Sequence, residues 1–479
     1  MANTRGLCVK PNTIPLIDQP RAFELDELFF STTDRKGIIE TGNQVFVRLS
    51  GYELHQLIGE PHNIIRHPHM PRAAFALVWD ALLAGRPIAA LVKNLAKDGR
   101  YYWVLAYIAP IKDGFLSVRT KPCSQLFPVV KGLYAEMVAI EEAELAAGKP
   151  PKDAMAASTK FLVEKLGSLG FESYDDFCAR ALVPTETAAR RAGLRERLEE
   201  RKRHELPETL RTPMRRVANG LRALQECNAS FMAVLERAFA AIGGGRKLLK
   251  EFSGLQLSAV NVSLRAARLG RQGRATMAIA TFLSESTDRL QRDMGSLCTA
   301  LDAARVALSG LVIELGWSAL EVEMVQQAID EWLEARDRGA KAEELNVHGL
   351  GGERLYDALA GTATRMSERV KAFKVSVTNA GRLADAVNAL TMSLDAAYTN
   401  GGVESARLPA SAKLGELLTD LGKRLQRAHQ AVASTQSAAA ELAGLEAINQ
   451  KAHEALTAAE SGLHEALGQL GRHLAAKAA

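Results

Sequence analysis

The chain has 479 residues, 47% of them hydrophobic, so its length and composition favour two or three folded domains and exclude wholesale disorder. Lysine and arginine together number 60, against 55 aspartate and glutamate residues. This small excess of positive charge is unlike the concentrated basic surface of nucleic-acid-binding proteins, and we expect no nucleic-acid partner.

The sequence lacks the usual signs of secretion and of a membrane anchor. Its five cysteines are scattered without a CxxC pair, which is typical of inert thiols in a reducing compartment. The most apolar stretch, residues 307–320, is interrupted by Glu314 and is shorter than the roughly 18 residues that cross a bilayer. The first twenty residues contain no long apolar segment of the signal-peptide type. We therefore predict a cytoplasmic protein without a transmembrane segment.

Mixed α and β structure is predicted for residues 21–125, after an irregular arm at residues 1–20 that Pro11, Pro15 and Pro20 interrupt. Short β-branched and aromatic runs alternate in this region with glycine-containing turns. In chain order the predicted elements are strands 29–34 and 38–40, helices 43–49 and 73–83, and strands 88–95, 101–111 and 115–120.

The same region carries a long composite motif. Its segments are STTD at 31–34, NQVF at 43–46, SGY at 50–52, GEPHNIIRHPHMP at 59–71, Trp79, VKN at 92–94, Gly99 and YYWV at 101–104. Together these segments strongly resemble the PAS domain of aerotaxis receptors. The resemblance implies an α+β fold, in which helices pack over one face of a five-stranded antiparallel sheet.

The resemblance also implies a cofactor, because aerotaxis receptors hold FAD between the sheet and the helices and report its redox state. By this resemblance Arg66 and His67 would lie along the pocket, and Asn43, Trp79 and Asn94 would line or support it. These residue types suit a flavin. Tryptophan can cover the flat ring, asparagine offers donors and acceptors, and arginine suits a phosphate or an electron-rich ring edge.

Three positions depart from the family pattern. His69 stands where the family has an aspartate, Ile88 replaces a tryptophan and Ala90 replaces a glycine. These changes remove one acidic partner and one aromatic ring. FAD remains the favoured occupant over haem, for which His62, His67 and His69 are potential axial ligands. The alternative is a cofactor-free PAS scaffold that mediates protein–protein contacts.

The remainder of the chain is predicted to be helical. A linker or subdomain at 126–200 precedes a helical region at 201–335 and a C-terminal bundle at 353–479. Prolines at 150–151 and 184 are expected to divide the linker. Glycine-containing breaks are expected at 243–245, 339–352 and 400–402. An apolar stripe at helical spacing within residues 437–474 suits either a bundle core or a dimerising seam, and a homo-oligomer is expected through the helices.

One helical stretch is more specific. Residues 261–280 read NVSLRAARLGRQGRATMAIA, which resembles the hairpin tip of methyl-accepting chemotaxis proteins. The resemblance implies a turn around Gly270 and Gly273 and a docking surface for the kinase and coupling protein of chemotaxis. Arg265 and Arg271 stand where the family has glutamates, so the tip is degenerate and its binding of these partners should be weakened.

Signatures of catalysis are missing from the sequence. The segments around His204 and Pro213 are similar to the phospho-acceptor box of histidine kinases, but three extra residues separate them and no ATP-lid motif follows. GGGRK at 243–247 lacks P-loop spacing, and no cluster of ligands has metal-site spacing. We predict a non-enzymatic sensor of redox state, oxygen or a small ligand that signals through its helices. A rival, an enzyme with an unrecognised helical domain, would need a deep polar pocket in residues 200–479.

Overall fold

The sheet of the N-terminal region follows the predicted strands closely. The structure is a computed structural model that describes residues 14–198, 270–338, 352–407 and 414–478, with scattered helical positions between 208 and 268. Its strands are β1 (Ile17–Pro20), β2 (Phe29–Asp34), β3 (Ile39–Gly42), β4 (Ile88–Leu95), β5 (Arg100–Ile111) and β6 (Gly114–Thr120). They are ordered β1-β5-β6-β2-β3, with β4 also paired to β5. The chain therefore has the predicted PAS-type sheet, followed by a helical region.

The first strand corrects two predictions. Residues 17–20 are not part of an irregular arm, because β1 pairs with β5 and adds a sixth, parallel strand to the five antiparallel ones. The amide of Ile17 donates to the carbonyl of Gly99 at 2.8 Å, and that of Arg21 donates to Tyr101 at 2.7 Å. Pro20 fits here because an edge strand does not need every N–H.

Short helices cover one face of this sheet, which we call the inner face. They are α1 (Gln44–Ser50), α2 (Leu54–Leu57), a 3₁₀ turn (His62–Ile65) and α3 (Arg72–Leu83). Phe46 of α1 stacks on Phe29 of β2 with ring centroids 6.0 Å apart. Trp79 of α3 meets Phe115 of β6 edge-on at 5.5 Å. These aromatic contacts pack α1 and α3 against the sheet.

The opposite, outer face is covered by the predicted helical linker. Its elements are α4 (Leu126–Ala146), α5 (Pro151–Ser168), α6 (Tyr174–Phe177), a π turn (Cys178–Leu182) and α7 (Val183–Leu198). Trp103 of β5 packs on Phe127 of α4 at 5.4 Å, and the Tyr174 hydroxyl donates to the carbonyl of Ala89 at 3.0 Å. Pro184 does not divide this linker, because it lies in the first turn of α7, where a missing N–H is tolerated.

Four long helices follow among the described residues: α8 (Arg274–Asp337), α9 (Gly352–Ala406), α10 (Leu414–Gly444) and α11 (Glu446–Ala478). The break predicted at 400–402 is wrong, since α9 continues through it. Each glycine costs a helix only about 1 kcal/mol relative to alanine, which a long helix tolerates. The predicted break at 243–245 lies outside the described residues, and so does the one at 339–352 except for Gly352, where α9 begins.

The chain divides into two units. One contains Met1–Asn228, Ser309–Ser367 and Lys451–Ala479, and the other contains Ala229–Leu308 and Glu368–Gln450. The apolar stripe of residues 437–474 is largely buried within the fold, with Leu442 and Leu456 almost fully enclosed. The stripe therefore serves as core, as expected of a bundle.

One segment of the described chain, Arg274–Ser318 of α8, is long and apolar enough to cross a membrane. Of the most apolar 18-residue window in this segment, 67% is buried within the fold, as in the core helix of a bundle.

Candidate ligand-binding site

The inner face of the sheet carries a row of polar side chains. Residues directly opposite each other in an antiparallel pair point to the same face, and so do alternate residues of one strand. Asn94 of β4 lies opposite Tyr102 of β5, and Ala106, four residues further along β5, lies opposite Arg119 of β6. Ser117, two residues before Arg119, therefore belongs to the same face.

Three polar atoms of this face have no hydrogen-bond partner among the residues that the structure describes. They are Asn94 Nδ2, the Tyr102 hydroxyl and Ser117 Oγ, in residues that are only 3%, 1% and 6% exposed. Buried polar groups in folded proteins are nearly always hydrogen-bonded, since leaving one unpaired costs about 1–3 kcal/mol. Burial raises the pKa of Tyr102, so its hydroxyl stays protonated and can donate. The inner face thus offers a ligand two hydrogen-bond donors, Asn94 Nδ2 and the Tyr102 hydroxyl, and the hydroxyl of Ser117.

Arg119 and His62 form a hydrogen-bonded pair beside these groups. Arg119 is 4% exposed; its guanidinium donates to Ser31 Oγ at 2.9 Å and to His62 Nε2 at 2.6 Å. A guanidinium can only donate, so His62 Nε2 must accept and the ring must be neutral. Burial and then the Arg119 charge lower the pKa of His62 well below its ordinary value. Burial also lowers the pKa of Arg119 to about 10, which leaves it charged at neutral pH.

This pair predicts a pH dependence of stability. In the folded state the pKa of His62 is depressed. Below about pH 6.5 the His62 side chain is therefore protonated in the unfolded chain but stays neutral in the folded chain. Stability should therefore fall as pH decreases, by at most about 1.4 kcal/mol per pH unit for this one proton.

The measurement is the urea midpoint of the full chain between pH 7 and pH 5, compared with His62→Gln. Glutamine keeps an acceptor for Arg119 but cannot take up a proton. Subtracting its profile also removes the contribution of Glu321, whose pKa burial raises to about 8 and whose effect has the opposite sign. Parallel profiles for the two proteins would contradict the assignment.

Of the predicted site residues, Arg66 lies next to Asn94, whereas His67 does not share the inner face. The backbone of Arg66 bridges to Asn94 at the free edge of β4, and its guanidinium lies over the Phe75 ring at 4.2 Å. His67 packs at 6.3 Å against Tyr101, which points away from the face of Tyr102. Burial, Lys93 and His69 lower the pKa of His67 to about 3, so the imidazole is neutral.

The other two predicted site residues lie at separate places. Asn43 caps α1: its Oδ1 accepts from the amides of Phe46 and Phe30 at 3.3 Å, and its Nδ2 donates to Leu28 at 3.2 Å. Because these hydrogen bonds go to the backbone, Asn43 is better suited to supporting the pocket than to contacting a ligand. Trp79 lies at the far end of α3, against Phe115 and beside Gly37.

Sequence reasoning missed Tyr102, Ser117 and Arg119. The alternation of β6 offered a signal, since it places Arg119 on the face of Phe115 and Ser117. Of the three departures from the family motif, His69 is exposed, whereas Ile88 and Ala90 are buried on the inner face. The loss of aromatic surface at Ile88 therefore affects the interior, and the loss of an acidic group at His69 does not.

These residues fit a flavin. Its flat ring would lie among apolar side chains of the inner face such as Ile88 and Ala90, and its heteroatoms would meet the unpartnered atoms of Asn94, Tyr102 and Ser117. Haem fits less well, because Arg119 already occupies His62 Nε2 and the amide of His69 occupies His67 Nδ1. The described residues contain no cluster of three or more potential metal ligands.

Comparison with known proteins agrees with this geometry. Residues 39–116 match the family model of the PAS fold. The aerotaxis receptor of Escherichia coli (strain K12) is 42% identical over 114 residues, which are 23% of this chain and 22% of the receptor. The nitrogen fixation regulatory protein of Klebsiella pneumoniae is 32% identical over 17% of this chain and 16% of its own length. A biofilm dispersion protein of Pseudomonas aeruginosa is 27% identical over 17% and 20%.

The N-terminal region is therefore an aerotaxis-receptor-like PAS domain. The matches cover about a fifth of the length of these relatives.

Proposed function

We propose that this protein senses redox state or oxygen through FAD held on the inner face of its PAS domain, and relays the signal through its helices. One observation carries the proposal: the interior of an aerotaxis-receptor-like domain holds three buried polar atoms that no described residue pairs with, all on one face. Such atoms are expected where a polar-edged ligand belongs.

The chain's own residues would bind and orient the cofactor. Asn94 and Tyr102 would donate to ring heteroatoms, and Arg66, at the open edge of β4, would meet a phosphate. Bound FAD would supply a centre whose charge and hydrogen bonding change with its redox state. A different set of hydrogen bonds to Asn94 and Tyr102 would then shift the preferred packing of the sheet.

Several contacts within the first unit offer a route from the sheet to the long helices. Arg365 of α9 donates to the carbonyl of Pro110, at the end of β5, at 3.3 Å. Gln327 of α8 accepts from the amide of Leu28 at 3.1 Å, immediately before β2. Arg190 of α7 pairs with Glu323 of α8 at 2.8 Å. Movement of β2 or of the β5–β6 hairpin would thus act directly on α8 and α9.

The absorption spectrum of the purified full-length chain tests the proposal. A flavin gives a yellow protein with a band near ~450 nm that bleaches on reduction. A Soret band would indicate haem instead. A colourless protein that takes up no added FAD would reject the cofactor and favour the scaffold alternative.

The helical region would carry the output, through self-association and contacts with chemotaxis signalling proteins. Helical positions before residue 266 and α8 flank a turn in which Gly270 has a φ of 59°, a left-handed conformation that favours glycine. Arg265 and Arg271 are both exposed on this tip. Each places a guanidinium where chemoreceptors carry a carboxylate, so a chemotaxis partner would meet charge of the wrong sign.

Changing both arginines to glutamate should therefore strengthen binding to a chemotaxis coupling protein at least tenfold. Binding is measured by titration calorimetry at two salt concentrations, because a charge-matched contact weakens as salt rises. The control carries the same change of four charge units at exposed Arg289 and Arg382, away from the tip. Equal affinities for the double variant and the control would contradict the role of the tip.

A further inference from the structure

Arg119 is a buried cation without a counter-charge. In the part of the chain that the structure describes, its hydrogen-bond partners are Ser31 Oγ, the carbonyl of Ser117 and His62 Nε2, and none of these groups is negatively charged. Charged side chains are almost never this deeply buried without an ionic partner, because desolvation costs several kcal/mol per ion. An anion or an electron-rich ligand edge next to Arg119 would compensate this charge.

The surroundings of Arg119 indicate which part of a ligand belongs there. The guanidinium carbon lies 5.5 Å from the centre of the Phe29 ring and 5.8 Å from that of Phe46. The Phe29 ring also meets Tyr102 edge-on at 6.2 Å, so Arg119 and the unpartnered Tyr102 hydroxyl flank the same aromatic surface. A flat ring with an electron-rich edge fits such a place. A pyrophosphate, with its two charges, would be matched by only one cation among aromatic rings.

We propose that Arg119, supported by His62, binds the pyrimidine edge of the flavin ring and stabilises the negative charge that this edge gains on reduction. The inference rests on the proposed function and adds the residue that sets the redox response. Two electrons from a reductant such as dithionite and one proton from water would convert a neutral oxidised flavin into an anionic reduced one. A guanidinium at the edge that receives the charge favours the reduced form.

The test is a reductive titration of the full chain reconstituted with FAD, in the presence of a reference dye. Arg119→Met should lower the equilibrium constant for two-electron reduction at least tenfold, equivalent to about 30 mV towards lower potential. Arg119→Lys keeps the charge and should stay within threefold of the wild type. Lys112→Met removes an exposed cation of the β5–β6 hairpin and should leave the constant unchanged.

A second variant makes the test independent of the folding of Arg119→Met. His62→Glu would give Arg119 an internal carboxylate and so occupy the place of the ligand edge. Relative to His62→Gln, it should raise the urea midpoint of the FAD-free chain and weaken FAD binding at least tenfold. Equal FAD affinities for the two His62 variants would overturn the proposal.

The outcomes separate this inference from the proposed function. If the chain binds FAD and Arg119→Met leaves its redox equilibrium unchanged, the role of Arg119 is wrong and the flavin sensor stands. If the wild-type chain binds no FAD even when reconstituted, both are overturned. Weakened affinity with an unchanged redox equilibrium would show that Arg119 holds another part of the ligand, which also overturns the proposal.

Discussion

Replacing Arg365 with methionine should lower the free energy of unfolding by about 3 kcal/mol, because it leaves a buried carboxylate without its guanidinium. The side chain of Glu314 is fully buried, and its Oε1 lies 3.2 Å from Arg365 Nε. Nearby Glu321 does not compete for the cation as a carboxylate at neutral pH, since burial raises its pKa to about 8. The guanidinium therefore compensates chiefly one negative charge, that of Glu314.

The double variant Glu314→Gln/Arg365→Met distinguishes a buried charge from lost packing. Removing both charges should restore most of the stability, because the neutral side chains carry a much smaller desolvation cost. Urea unfolding followed by tryptophan fluorescence is a suitable measurement, as buried Trp317 donates to Thr362, which also accepts from Arg365. A double variant as unstable as Arg365→Met would contradict the electrostatic explanation.

The same substitution has a second expected effect, on signalling. Arg365 is also the donor to the Pro110 carbonyl, so its loss removes a hydrogen bond between the sensory sheet and α9. Hydrogen exchange of residues 352–367 should respond to reduction of bound flavin in the wild-type chain and respond less in the restored double variant. An undiminished response in the double variant would exclude this contact from the relay.

Replacing Glu141 with alanine should lower the free energy of unfolding by about 2–3 kcal/mol, because the Glu141 carboxylate caps the N-terminus of α3. Glu141 is 4% exposed; its Oε2 accepts from the amide of Arg72 at 2.7 Å and its Oε1 from that of Ala73 at 2.9 Å. These N–H groups of the first turn have no partner within the helix. The Ser158 hydroxyl donates to the same carboxylate at 2.8 Å, so one side chain joins α3, α4 and α5.

The effect should be localised as well as large. Amides in the first turn of α3 should exchange faster in Glu141→Ala, while those of β5 and β6 should change no more than the global loss of stability requires. Glu142→Ala is the matched control, since this neighbour is exposed and its loss should cost less than about 0.5 kcal/mol. Equal unfolding midpoints for the two variants would show that the carboxylate does not cap α3.

Local sequence signals determined most of the sensory sheet. The strand predicted at 29–34 has the same bounds as β2, and the one at 88–95 the same as β4. These strands were predictable because side-chain alternation and turn residues such as Gly99 act over a few residues. The composite motif likewise identified the PAS domain, whereas the backbone bridge between Arg66 and Asn94 is visible only in the fold.

Tertiary structure alone decided how distant residues meet. β1 pairs with β5 across about eighty residues of chain, and Glu141 reaches α3 across 68 and 69 residues. The stability of the whole helix likewise decides that α9 continues through Gly401 and Gly402, against the local preference of these two glycines. Most important for function, the sequence showed an arginine in β6, whereas only the fold showed that it is buried and that no described residue gives it an anionic partner. Burial and hydrogen-bond satisfaction depend on neighbours that the chain brings together only when it folds.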